Sequence, residues 1–137
     1  MLGLVYTDGE TQRAQIMILI KDREDTPQGF PLHTLARLVC AAGHCRDSDV
    51  WSVTRARGYG ERICALEDRL RTAQFVSVTA KEILEMVSDP DEWFYDLDCR
   101  VHHEVRFGLI DSSALFLDAP DDITDSIEGH FSLVTRR

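Results

Sequence analysis

Residues 94–117, FYDLDCRVHHEVRFGLIDSSALFL, decide the fold class. From Phe94 to His103 the side chains alternate, with Tyr95, Leu97, Cys99 and Val101 on one side and Phe94, Asp96, Asp98, Arg100 and His102 on the other. A period of two is that of a half-buried strand. Val105 to Ile110 and Ala114 to Leu117 are two further β-rich runs, and Asp111-Ser112-Ser113 between them predicts a tight hairpin. Three such strands in succession form an antiparallel meander.

Downstream, Pro120 begins a closing helix, with Asp121 and Asp122 near its positive end and Ile123, Ile127, Phe131 and Val134 on one stripe. Upstream, Asp89-Pro90-Asp91-Glu92 ends a helix that opens with a capping-box pattern, Thr79 at the N-cap and Glu82 three residues on. Phe75 to Val78 is a short extended link into it. From Glu61 to Ala73, Ile63, Cys64, Leu66 and Leu70 recur at helical spacing. Pro31 opens a further helix whose stripe of Leu32, Leu35, Leu38, Val39 and Ala42 is closed by Gly43. Between His44 and Gly60 the pattern weakens, and Trp51-Ser52-Val53 reads as a short strand or as part of a helix begun at Ser48. At the N-terminal end, Leu2 to Thr7 and Ala14 to Ile20 read as two strands around Asp8-Gly9. The second contains Ile-Met-Ile-Leu-Ile, apolar on both faces, as in a central strand covered on each side. The expected fold is α+β: a mostly antiparallel sheet, two N-terminal strands plus the meander, packed with three to four helices in a single domain over residues 1–137.

Composition supports a folded chain, with 44% hydrophobic and 28% charged residues. The first residues lack a basic region and a long apolar stretch, and the longest apolar run, Ile16 to Ile20, is too short to span a bilayer. A cytoplasmic location is therefore expected, with Cys40, Cys45, Cys64 and Cys99 reduced and buried. Charge is placed unevenly. Residues 1–76 carry ten acidic and ten basic side chains, residues 77–137 fourteen acidic and five basic, so the second half holds the whole net charge of −9. That excess opposes binding to nucleic acid or to anionic membranes, and favours a basic protein partner.

Catalytic patterns are weak. His33, Cys40, His44 and Cys45, or Cys99, His102 and His103, lack the paired spacing that presents ligands to a tetrahedral metal, so no metal or cofactor is expected. Asp111-Ser112-Ser113 has no glycine-flanked nucleophile elbow and reads as a turn. Arg57-Gly58-Tyr59-Gly60-Glu61 resembles a phosphate cradle only in its two glycines, and reads as a flexible loop between helices. The stretch that combines carboxylates with rings is Asp89, Asp91, Glu92, Trp93, Phe94, Asp96 and Asp98. Alternation places Phe94 on the face of Asp96 and Asp98, an exposed ring among acids that pair with Lys or Arg. These seven residues are the expected partner-binding site of a small acidic protein that neutralises a basic toxin or effector, in the manner of a bacterial immunity or antitoxin protein, as monomer or homodimer. The alternatives are a homodimeric secretion chaperone for an effector and a small Cys/His-dependent enzyme or ligand-binding domain. If the face is exposed, Asp96→Lys with Asp98→Lys leaves stability within about 1 kcal/mol.

Overall fold

A computed structural model describes residues 14–26 and 28–137, so the strand expected at Leu2 to Thr7 and its turn at Asp8-Gly9 lie outside the described residues. In chain order the elements are β1 (Gln15–Ile20), α1 (Leu32–Ala42), β2 (Val50–Tyr59), α2 (Glu61–Leu70), β3 (Val76–Thr79), α3 (Ala80–Ser88), β4 (Trp93–His102), β5 (Val105–Ile110), β6 (Ala114–Pro120), α4 (Asp121–Glu128) and β7 (Val134–Arg136). Among the described residues seven strands form one sheet in the order β3-β2-β4-β5-β6-β1-β7, every neighbouring pair antiparallel. This is the α+β class expected from the sequence.

The meander is as read. β4, β5 and β6 pair in succession, Cys99 facing Phe107 and Phe107 facing Leu117. Its hairpin turn holds Asp111 and Ser112 at φ 46° and 54°, a backbone that short polar side chains tolerate, and the Ser113 N–H closes it on the Ile110 carbonyl at 2.8 Å.

One face of the sheet packs against the helices through a single apolar cluster that includes Ile18, Ile20, Val53, Leu97, Cys99, Phe107 and Leu117. α1 buries Leu32, Leu35, Ala36 and Val39, ends where the Gly43 N–H meets the Val39 carbonyl, and packs against α3 and α4. α3 has the capping box expected for it: Glu82 N–H donates to the Thr79 hydroxyl at 3.1 Å and Thr79 N–H donates to the Glu82 carboxylate at 2.9 Å.

Four expectations change. Residues 50–59 form a ten-residue strand beside β4, because Trp51, Val53 and Ala56 face the core while Thr54, Arg55 and Arg57 are exposed. The link before α3 is itself a strand, β3, at the sheet edge. β1 is next to the other edge; Ile18 and Ile20 are buried while Met17 and Leu19 are half-buried, so one face only is sealed. The last helix stops at Glu128, and Val134, which continues the helical spacing numerically, pairs with Ile20 in β7.

The cysteine expectation also changes. Cys40 and Cys45 are joined as a disulfide across the end of α1, with Cα atoms 5.0 Å apart, and Cys64 is exposed on α2. Cys99 is buried as read, and burial pushes its thiol well above the ordinary range, with neighbouring Asp98 adding to the effect. No helix among the described residues is long and apolar enough to cross a membrane.

Candidate functional site

The sheet's second face is free of described helices, and β2 and β4, towards its β3 edge, carry the candidate site. Two irregularities decide which side chains point there. Arg57 faces Asp96 but Gly58 faces Phe94, so β4 carries one extra residue, Tyr95. Val53 faces Cys99 and Arg55 faces Asp98, so β2 carries one extra residue, Thr54. A bulge of this kind breaks the period of two and turns one side chain to the opposite face.

The consequence is an exchange of Phe94 and Tyr95. Phe94 is 1% exposed and turns to the helical side, lining a cleft of about 310 Å³ with Phe30, His33, Arg37 and Asp89. The Gln28 amide holds its backbone there, accepting from Phe94 N–H at 3.0 Å and donating to its carbonyl at 3.2 Å. Tyr95 comes to the open face, where it packs edge-on against Tyr59 at 5.6 Å and Trp93 at 6.1 Å between ring centroids. A hydrogen bond with the Tyr59 side chain holds the Tyr95 phenol above its usual range. Tyr59 is 64% exposed and Trp93 39%.

Asp96 and Asp98 share this face but do not reach outward. Asp96 is 2% exposed. It accepts from Arg57 at 3.1 Å and from the Asp111 backbone N–H at 2.8 Å, with Arg55 at 3.9 Å. Asp98 is buried too and accepts from Arg106 at 3.0 Å, whose other end lies 3.9 Å from Asp118. The carboxylates are inner partners of the sheet's own arginines, and what the face presents to solvent is the exposed guanidinium groups of Arg55 and Arg57.

Glu92 is the clearest correction. It is buried, and its carboxylate accepts from Ile63 N–H at 2.8 Å and Arg62 N–H at 3.2 Å, the free donors at the start of α2. The helix has no cap of its own, since its N-cap residue is Gly60. The glycines explain one another: Gly60 sits at φ 129° with Glu92 carboxyl atoms 2.6–2.7 Å from where a Cβ would stand, and a Cβ on Gly58 would fall 1.8 Å from the Trp93 carbonyl oxygen. The helix start that resembled a phosphate cradle is occupied by an internal carboxylate, and the expected flexible loop is strand and helix cap.

Of the seven residues expected to bind a partner, the structure brings Trp93, Asp96 and Asp98 to one face, with the two aspartates beneath its surface. Phe94 and Glu92 are interior. Asp89 ends α3, accepts from Asp91 N–H at 2.9 Å and lies 3.5 Å from Arg62, while Asp91 is exposed on the same loop. The outward ring among carboxylates is therefore replaced by three rings beside two arginines. Sequence reasoning missed Tyr59, Tyr95, Arg55 and Arg57; the one trace was Gly58, whose missing side chain marks the close approach of the two strands.

The metal candidates do not gather: no group of three or more His, Cys, Asp or Glu suited to a metal ion occurs among the described residues. His33 lies 3.8 Å from Glu24, and His102 at the end of β4 and His103 in the turn after it are exposed neighbours. No family model matches the chain, and neither a curated protein nor a solved structure is significantly similar to it.

Proposed function

We propose that this chain is a small protein-binding domain that docks through the open face of its sheet, with Trp93, Tyr59 and Tyr95 as the anchor and Arg55 and Arg57 at its border. The observation that carries this reading is the exposure of Tyr59 and Trp93, each packed edge-on against the half-buried Tyr95, on a face without described helices. Tyr, Trp and Arg are the side chains that supply most of the energy at protein interfaces, and preordered rings lose little rotamer freedom on docking. The narrower reading, an immunity or antitoxin protein that neutralises a basic toxin or effector, rests on the net charge of −9. In that reading the charge of the whole molecule speeds encounter while the rings hold the bound partner.

The test uses a photo-crosslinking residue placed in the cell at Tyr59 and, separately, at Ser126 on α4. A discrete protein adduct is expected at Tyr59 and not at Ser126. The captured protein is then titrated with Trp93→Ala, for which a loss of affinity of at least 30-fold is expected. Equal adducts at both positions, no adduct at Tyr59, or unchanged affinity of Trp93→Ala rejects the proposed face.

A further inference from the structure

The sheet has two edges, and they differ in kind. β7 carries Arg136 with Arg137 beside it, the charges that ordinarily keep an edge strand from pairing with another chain. β3 carries no charge of its own: residues 72–80, Thr-Ala-Gln-Phe-Val-Ser-Val-Thr-Ala, contain no charged side chain in a chain that is 28% charged, and the one carboxylate at the strand, Glu82 on the Thr79 N–H, sits at its C-terminal end. Among the described residues its only strand neighbour in the sheet is β2. Two of the large apolar side chains left in water lie near this edge, Phe75 at 54% just before β3 and Val50 at 61% on the neighbouring β2, where it is the register partner of Thr79.

We propose that β3 pairs antiparallel with β3 of a second copy of this chain, making a two-fold dimer with one continuous sheet. The edge complements itself. With the axis at Ser77, the Ser77 backbones of the two copies pair and Phe75 of one copy stands beside Thr79 of the other, whose N–H stays with the Glu82 carboxylate; the Phe75 ring is covered, on the side where Val50 flanks Thr79. Charge agrees with this arrangement: Arg71 lies at the N-terminal approach to β3 and Asp49 at its C-terminal end, where the Asp49 carbonyl accepts from Ala80 N–H at 2.8 Å. Antiparallel pairing brings Arg71 of each copy towards Asp49 of the other. Elsewhere two copies that each carry −9 repel, so this neutral stretch is where they approach at least cost. A four-residue ladder is a small interface, and a dimer held by it forms at high micromolar rather than nanomolar concentration.

Sedimentation equilibrium on the full chain tests this between about 5 µM and 1 mM, with Ser77→Lys and Thr135→Lys as the paired variants. Both positions are exposed strand residues, one on each edge. The expected result is a monomer–dimer equilibrium that Ser77→Lys weakens at least tenfold and Thr135→Lys leaves unchanged. Amide exchange in residues 76–79 of the unmodified chain slows as concentration rises, which reads the same contact without any substitution. A chain that stays monomeric to 1 mM, a dimer indifferent to Ser77→Lys, or exchange in β3 independent of concentration overturns the proposal.

Discussion

Glu92 shows how one side chain reads differently alone and in place. In the sequence it is one acid among several in a Pro turn; in the fold it satisfies two backbone donors of a helix that begins 31 residues earlier. Glu92→Ala leaves those donors without their partner and is expected to cost about 2 kcal/mol in urea unfolding. A loss below about 0.5 kcal/mol would show that solvent replaces the carboxylate freely. The same logic reverses the forecast for Asp96 and Asp98. Exposed acids tolerate charge reversal, but these are buried against Arg57 and Arg106. Asp96→Lys with Asp98→Lys is now expected to cost about 3–5 kcal/mol or more, because two unpaired cations are buried among arginines. A double variant as stable as the parent would place both side chains in solvent. Nothing in the local pattern distinguishes a carboxylate that faces water from one that faces an arginine on the next strand.

Elements whose signals are local were legible. The α3 capping box, the Pro31 start and Gly43 stop of α1, and the turn at Asp111 and Ser112 each depend on residues within four positions of one another. For α3 the physics is open to titration. The Thr79 backbone N–H, and after it the Thr79 hydroxyl, hold the Glu82 carboxyl below its usual range. A folded value below the unfolded one means the contribution is complete above the usual carboxylate range and is lost as pH falls through the folded value. Thr79→Ala is expected to cost about 1 kcal/mol at pH 7, and the stability gap between the parent and Glu82→Gln to close as pH falls towards 3. A gap constant with pH would remove the carboxylate from the cap. The elements that escaped notice are those made by pairing. β3 is four residues long and β7 three, and neither is long enough for a periodic signal of its own.

At the scale of the molecule, the fourteen acids after Ser77 do not gather. They are distributed over α3, the loop to β4, β4 itself, both hairpin turns, β6 and α4, with some on each face of the sheet. The open face, where the acids were expected to stand outward, instead shows arginines and rings. By itself the sequence determined the α+β class, the meander, the helices and the net charge, because periodicity, capping and composition are properties of neighbouring residues. Only the tertiary structure decided which side chains meet solvent. Two single-residue bulges, at Thr54 and Tyr95, arise from how β2 and β4 fit together, and a shift of one residue is enough to exchange the inside of a strand for its outside.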